Sequence, residues 1–285
     1  MIDIERGSMR TQRLAVVGLV FVTAAVVSAF SSRNVVDRGR DAAAHGGEPV
    51  VVLAELFTSE GCSSCPPADD VLTRLISSQP IPGVTVVGLG EHVDYWDRLG
   101  WRDPFSSAGL TDRQSQYGAT VFRTGSIYTP QMVIDGRLQG IGSDFDAIRR
   151  AVLEAAKAPK ASITVSAHRA GEGIRIDLHI DAATNLARTE PADVILAITE
   201  DRLVTEVRRG ENHGRTLRHT AVVRSLMTVG ELMPEDRTLT TAVSPVLARD
   251  WKSENIRLVG FAQERHSRRI VGVGAVALEA GVAER

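Results

Sequence analysis

The chain has 285 residues, 43% of them hydrophobic and 24% charged, which is enough apolar material for a sizeable core and a charge content typical of soluble proteins. Its formal net charge of −2 gives no electrostatic basis for binding nucleic acid. A chain of this length is expected to form two domains.

The N-terminal segment has the pattern of an export signal. Arg10 and Arg13 precede an apolar run from Leu14 to Phe30, within which Val27-Ser28-Ala29 resembles a cleavage site. The run is close to the minimum length of a membrane span, so an uncleaved anchor is the alternative. We therefore expect residues 1–30 to be a signal peptide or membrane anchor. The protein would be exported to the periplasm or the exterior, or held at the inner membrane by this run.

A polar segment rich in Gly and Ala, residues 31–49, is typical of a linker, and a first domain is expected at residues 50–158. The domain begins with an apolar run from Val50 to Phe57 that predicts a buried strand. A helix should follow, because apolar residues then recur at three- and four-residue spacing, at Val71, Leu72, Leu75 and Ile76.

The only two cysteines of the chain, Cys62 and Cys65, lie between this strand and this helix. A Cys-x-x-Cys pair at such a junction is typical of thiol–disulfide exchange, because the first turn of a helix favours the reactive thiolate. We expect Cys62 to attack from that first turn and Cys65, one turn later, to resolve the mixed disulfide. Three alternatives stay open: a structural disulfide, half of a zinc site, and a motif without function.

A second buried strand is predicted at Val84 to Leu89, and an insertion at residues 90–125 follows it. The insertion holds two of the three tryptophans, Trp96 and Trp101, although aromatic residues make up only 5% of the chain. Aromatic and charged loops often line binding sites, so the insertion could form a lid over the cysteines. The alternative is that the tryptophans pack the insertion onto the core.

His92 comes at the end of the second strand, at the edge of the sheet where the cysteine helix also begins. From that position it could tune Cys62 or take a proton during exchange. With Asp94 and Trp96 it forms the candidate tuning and groove-lining group. The alternative for the polar pair is a set of structural hydrogen bonds.

Thr129 and Pro130 precede a third predicted strand, at Gln131 to Gly136. Proline is awkward where a buried strand needs its N–H, and a cis proline facing the cysteines would explain it. Thr129 and Pro130 are therefore candidates for shaping the substrate groove, and an ordinary trans proline is the alternative.

The rest of the first domain is predicted to be a hairpin and a helix. Asp135-Gly136 predicts a two-residue turn, because Gly tolerates positive φ, and Leu138 to Ile141 would be the returning strand. Asp144 then caps a helix whose apolar face includes Ile148 and Val152.

Pro159 marks a boundary, because the apolar pattern changes there from helical to alternating. Six or more short strands without helices predict a β-sandwich at residues 159–285. The strand candidates are Ile163 to Val165, Ile174 to Ile180, Val194 to Ile198, Thr238 to Val243, Ile256 to Phe261 and Ile270 to Ala277.

In this second part, residues 210–219 contain His213 and His219. A metal site is one interpretation of the two histidines. We favour a turn followed by a surface strand, and we expect no metal ligands there.

Three segments resemble an uncharacterised family of secreted bacterial proteins, domain-of-unknown-function family 1223. They are Glu55 to Asp69, His92 to Phe105, and Tyr128 to Gly136. The Cys-x-x-Cys pair followed by Thr129-Pro130, and the order β-α-β, insertion, β-β-α, also resemble the thioredoxin superfamily. The resemblance implies an α/β thioredoxin-like domain followed by an all-β sandwich-like domain, and it implies no established substrate.

Two functions are compatible with the sequence. The first is an exported thiol–disulfide oxidoreductase that acts through Cys62 and Cys65 on protein thiols or disulfides of the cell envelope, without a cofactor or a metal. The second is a non-catalytic envelope binding or metal-delivery protein with a structural disulfide. Reactivity of Cys62 separates the two.

Overall fold

The computed structural model describes residues 49–170, 173–182 and 187–278. The predicted signal or anchor and nearly all of the predicted linker lie outside the described residues. Within the described ranges, none of the helices is long and apolar enough to cross a membrane.

The predicted elements of residues 50–158 are present. Strand β1 pairs in parallel with β2 over its whole length and in antiparallel fashion with β3, which continues into β4. Both residues of the turn between β3 and β4 have positive φ, 47° at Asp135 and 70° at Gly136, as the Asp-Gly sequence predicts. The bounds are β1 Val50–Thr58, α1 Pro66–Ser78, β2 Val84–His92, β3 Gln131–Ile134, β4 Leu138–Ile141 and α3 Phe145–Ala155.

The insertion after β2 is helical. It contains a 3₁₀ turn at Asp97–Leu99, helix α2 at Ala108–Gln116, and a π-helical segment at Tyr117–Phe122. The side chain of Ser107 caps α2 by accepting a hydrogen bond from the backbone N–H of Leu110.

Every strand predicted beyond Pro159 is present, including β9 after the turn in residues 210–219, together with two strands that the sequence did not reveal, β8 and β10. The short β8 and β9 pair only with each other, while β10 is the longest strand described. The bounds are β5 Ala161–Ala170, β6 Gly173–Asp181, β7 Ala192–Glu200, β8 Leu203–Glu206, β9 Thr216–His219, β10 Val222–Leu232, β11 Thr238–Val243, β12 Ile256–Glu264 and β13 Ile270–Ala277.

The predicted fold class, a thioredoxin-like α/β domain followed by a β-sandwich-like domain, is wrong. Eleven strands form one mixed sheet in the order β11-β6-β5-β13-β12-β7-β10-β2-β1-β3-β4, with three α-helices in the described part of the chain. Strands from both predicted domains are therefore neighbours in one sheet. The sheet also curls, since the hydroxyl of Thr241 in β11 donates to the carbonyl of Val229 in β10 at 2.6 Å.

Strand β10 joins the two parts and explains the error. It pairs with β7 on one side and touches β2 on the other, where Val222 lies opposite Gly90. A Cβ at Gly90 would lie 3.2 Å from the carbonyl oxygen of Thr220, so the glycine permits this approach. Two register shifts interrupt β10, after Val223 and after Thr228, and they remove the two-residue alternation by which strands are recognised.

Each face of the β1–β2 region has its own core. On one face, α1 and α3 cover apolar side chains that include Val52, Leu72 and Ile148. On the other, Leu53 and Leu89 pack with Phe261 of β12 and its neighbours. The second core combines residues of both predicted domains, so the two parts form one packed structure.

Candidate functional site

Cys62 and Cys65 are joined by a disulfide at the start of α1, with their Cα atoms 5.4 Å apart. Cys65 is the N-cap of the helix, Pro66 follows at its first position, and the carbonyl of Cys65 accepts the N–H groups of Ala68 and Asp69 at 2.8 and 3.1 Å. Cys62 thus lies before the helix and not in its first turn. We call residues 59–65 the cysteine loop.

The sulfur atoms are covered although the loop reaches the surface. Both cysteines are 0% exposed, whereas Ser63 and Ser64 between them are exposed. The hydroxyl of Ser64 lies 3.3 Å from the sulfur of Cys62. A partner of the disulfide would meet the two serines first.

The segment between β8 and β9, residues 207–215, holds the cysteine loop and is called the covering loop here. The side-chain N–H₂ of Asn212 donates to the carbonyls of Glu60 and Cys62, at 2.9 Å in both cases, and Asn212 is 0% exposed. The carboxylate of Glu211 accepts the N–H of Ser63 at 3.0 Å. Three hydrogen bonds therefore attach the covering loop to the backbone around Cys62.

Glu60 connects the cysteine loop to the insertion and to β9. Its carboxylate accepts the indole N–H of Trp101 at 2.8 Å and lies 3.1 Å from Nε2 of His219. Its backbone N–H donates to Asp103 at 2.8 Å. Glu60 is 0% exposed, so these partners replace the water that a buried carboxylate would otherwise need.

His92 and Asp103 form a buried ion pair beside Glu60, with 2.6 Å between Nδ1 and Oδ2. Burial lowers the pKa of His92, but the Asp103 carboxylate outweighs burial and leaves the pKa above its usual value. The same pair lowers the pKa of Asp103 against the opposing effect of burial. His92 is thus protonated over a wider pH range than a free histidine, and its Nδ1 is engaged by Asp103.

Asp69, in the first turn of α1, completes the polar cluster. Its carboxylate lies 3.9 Å from Nδ1 of His219, and the imidazole rings of His219 and His92 are 4.9 Å apart. Burial raises the pKa of Asp69 to about 6, against the opposing attraction of the two histidines. The cluster of Glu60, Asp69, His92, Asp103 and His219 therefore contains a carboxyl group that titrates near neutral pH.

Trp96 connects the cysteine loop with Thr129. The indole N–H of Trp96 donates to the hydroxyl of Thr129 at 2.8 Å, and a Cβ at Gly61 would lie 3.1 Å from the Cβ of Trp96. The Thr129–Pro130 peptide bond is cis, as the sequence indicated. Trp96 thus links the cysteine loop to the segment before β3.

Asp94 is placed differently. Its carboxylate accepts the hydroxyl of Thr111 in α2 at 2.6 Å, and its backbone N–H donates to the same hydroxyl at 3.0 Å. These bonds hold the insertion together. They agree with the structural alternative for this residue.

Sequence reasoning missed Asn212 and placed His219 on the surface. His219 is 4% exposed, and its side chain points from β9 toward Glu60, so it is buried and not on the surface. His213 is exposed, so the two histidines do not form a pair. Within residues 49–170, 173–182 and 187–278, no group of three or more His, Cys, Asp or Glu side chains is arranged to hold a metal ion. The sequence Asn212-His213-Gly214 predicts a turn, but it does not predict which distant backbone groups the Asn212 side chain will bind.

The fold and site define a protein built on one large mixed sheet, with an oxidised Cys-x-x-Cys pair covered by a loop from its C-terminal part. Residues 53–263 match the model of a family described as protein of unknown function (DUF1223). The chain therefore belongs to the DUF1223 family, as its motifs indicated. Comparison with curated proteins gives no match.

Two solved structures resemble the chain over most of its length. A crystal structure of a protein from Agrobacterium tumefaciens has a TM-score of 0.64 and 28% sequence identity, covering 82% of this chain and 97% of that one. HBP35 of Porphyromonas gingivalis has a TM-score of 0.61 at 12% identity, covering 82% and 77%. The second likeness shows the fold alone.

Proposed function

We propose that the protein carries out thiol–disulfide exchange with a protein partner through Cys62 and Cys65. The observation that carries this proposal is the Cys62–Cys65 disulfide immediately before α1, where the positive end of the helix dipole favours a thiolate. Cys-x-x-Cys is also the feature by which the chain resembles the thioredoxin superfamily, and it supports the chemistry although the architecture differs.

The proposed exchange proceeds in two steps. In the dithiol form, the Cys62 thiolate attacks a partner disulfide, one partner thiolate leaves, and a mixed disulfide forms. The Cys65 thiolate then attacks the sulfur of Cys62, which restores the intramolecular disulfide and releases the second partner thiolate. The reverse sequence oxidises a partner dithiol, and relative reduction potentials set the direction.

The N-terminal sequence supports an exported protein, so the proposed partners are thiols or disulfides of envelope proteins. Residues 1–30 would direct export or anchor the protein at the inner membrane. In that compartment a Cys-x-x-Cys pair persists as a disulfide and can act as an oxidant.

A trapping experiment tests the proposal. In Cys65→Ala, the mixed disulfide on Cys62 has no resolving thiol and should accumulate in the host as adducts that reductant releases. The double variant Cys62→Ala, Cys65→Ala is the matched control. If the single variant forms no more adducts than the double variant, exchange on Cys62 is refuted.

The second candidate is a binding protein whose disulfide is structural. It is favoured by the complete burial of both cysteines and by the three hydrogen bonds of the covering loop. The sequence also allowed metal delivery as the function of such a protein. Among the described residues, no cluster of potential metal ligands supports it. A native disulfide that glutathione does not reduce over hours would favour the binding protein.

A further inference from the structure

A second buried polar group lies on the face of the sheet that α2 covers, and it is separate from the cysteine site. Arg113 of α2 donates to the carboxylate of Glu55 at 2.6 Å, to the amide oxygen of Gln263 at 3.0 Å and to the hydroxyl of Tyr117 at 3.1 Å. Arg113 is only 5% exposed, so its charge needs a counter-ion inside the protein.

Glu91 places a second carboxyl group beside Arg113, with 3.5 Å between its Oε1 and Nε of Arg113. It is 0% exposed, and neither of its carboxyl oxygens has a hydrogen-bond partner in the described part of the chain. Burial raises the pKa of Glu91 well above its usual value, Glu55 adds to this effect, and Arg113 opposes it. Glu55 is therefore the closer counter-ion of Arg113, and burial favours the neutral form of Glu91.

Arg268, in the turn between β12 and β13, brings another positive charge to the same place. Its guanidinium carbon lies 5.4 Å from the centre of the Tyr117 ring, and that of Arg113 lies 5.3 Å from it. Arg268 has no salt bridge to any described residue, and its Nε is buried without a hydrogen-bond partner there. Two guanidinium groups thus lie near Glu55 and Glu91, and burial favours the neutral form of Glu91.

The backbone around Arg268 is held firmly. It has φ of 60°, its N–H donates to the carbonyl of Glu264 at 3.1 Å, and its carbonyl accepts Nε2 of Gln263 at 2.8 Å. Gly136 packs so closely that a Cβ there would lie 1.9 Å from the Arg268 carbonyl oxygen. A residue held in a left-handed conformation by three neighbours is positioned by the fold and not by chance.

Both arginines line a cavity of about 260 Å³ between α2 and the strands β7 and β10. Its wall is apolar at Ile195 and Leu226, and Asp193 on its rim is already paired with Arg265 at 2.8 Å. The cavity has a cationic end and an apolar side, which is the arrangement that binds an organic anion.

A second cavity of about 410 Å³ adjoins the first, since Gly109 and Leu226 line both. It is lined by Leu110, Phe105 and Trp251, and by Arg224, whose guanidinium carbon lies 5.4 Å from the centre of the Phe105 ring and 5.3 Å from that of Trp251. Together the cavities reach the size of known small-molecule sites, about 300–1,000 Å³. A Cβ at Gly109 would meet only the Ser107 hydroxyl, at 3.9 Å, so the passage between them is open because this residue has no side chain.

We propose that the two cavities form a binding site for a medium-chain organic carboxylate. The carboxylate lies between Arg268 and Arg113, and the alkyl chain passes Gly109 toward Phe105 and Trp251. Nothing in the cysteine chemistry requires this site, so it is independent of the proposed exchange activity.

Calorimetric titration of the full chain with butyrate, octanoate, 1-octanol and inorganic phosphate tests the proposal. Octanoate should bind at least about tenfold more tightly than butyrate, because each buried methylene contributes about 0.8 kcal/mol. It should also bind more tightly than 1-octanol or phosphate, because both the charge and the chain are recognised. Equal affinity for octanoate and either probe, or no octanoate binding, overturns the proposal.

Two variants locate the site. Arg268→Gln should weaken octanoate binding about tenfold through loss of charge-assisted hydrogen bonds, whereas Arg218→Gln, on the exposed β9 surface, should not. Gly109→Leu should weaken octanoate binding about tenfold and leave butyrate binding unchanged, and Leu is well tolerated in a helix. If Gly109→Leu and Arg268→Gln both bind octanoate like the unmodified protein, the site is refuted. If Arg268→Gln does not fold, the outcome for Gly109→Leu decides.

Discussion

Replacement of Asn212 by Ala is the sharpest test of how the disulfide is controlled. Asn212 is fully buried and donates to the carbonyls of Glu60 and Cys62. Removing its amide leaves the Glu60 carbonyl without a partner, which costs about 1–3 kcal/mol, whereas the Cys62 carbonyl still accepts the N–H of Cys65 at 3.2 Å. The covered state should therefore lose about 1–3 kcal/mol relative to a state in which the covering loop is open.

This loss should appear as faster reduction of the native disulfide. Both cysteines are 0% exposed, so a thiol reagent reaches them only after local opening. If opening is a rapid equilibrium, the lower limit of about 1 kcal/mol corresponds to roughly fivefold faster reduction, since 1.4 kcal/mol is tenfold. The assay is reduction by dithiothreitol under native conditions, with free thiols counted by quenched alkylation.

His213→Ala is the matched control. His213 is exposed in the same loop, and its side chain makes no hydrogen bond to any residue that the structure describes. Its disulfide should be reduced at the rate of the unmodified protein. Denaturant unfolding of both variants separates local opening from global destabilisation. Equal reduction rates for Asn212→Ala and His213→Ala would refute the idea that Asn212 holds the loop closed.

Three further predictions concern stability. Folding raises the pKa of Asp69 from its ordinary value of 3.8 to about 6. The folded state therefore becomes less stable relative to the unfolded state as pH rises from about 4 to 6. Asp69→Asn should therefore stabilise the protein at pH 7 by at most about 3 kcal/mol, and the two urea-unfolding curves should converge below about pH 4; a constant difference would contradict this. Gly136→Ala should destabilise by at least about 1–3 kcal/mol because of the backbone clash and positive φ, whereas Gly125→Ala, with no atom within 4 Å of its Cβ, should be near neutral in the same assay. Arg113→Met should cost about 3–5 kcal/mol by leaving Glu55 unpaired, and adding Glu55→Gln should recover part of that loss; no recovery would show that the charge is not the cause.

The local elements of this protein could be predicted from sequence because their causes are local. The Asp135-Gly136 turn follows from glycine's freedom at positive φ, and the cap of α3 follows from Asp144, whose carboxylate accepts the N–H of Ala147 at 2.9 Å. The cysteine pair at a strand-to-helix junction was also visible. The exact start of α1 at Pro66 was not visible in the sequence. Because the helix starts there, Cys62 lies before its first turn.

The candidate site was predicted only in its N-terminal half. Trp96 lies against Gly61 of the cysteine loop and donates to Thr129. Asn212 and His219 come from more than 140 residues further along the chain, as the separations of 150 and 159 residues in their bonds to Cys62 and Glu60 record. A turn sequence carries no information about which distant carbonyl its side chain will meet.

The sequence by itself determined the family, the positions of most strands and helices, and the place of the cysteines, because periodicity, turn residues and motifs act over a few neighbouring residues. Tertiary structure alone decided that the strands form one sheet and that a C-terminal loop covers the disulfide. Strand β10, with its alternation broken by two register shifts, joins β2 to β7 and unites the two predicted domains. Which strands become neighbours depends on contacts across the whole chain, so alternation within a strand cannot encode it.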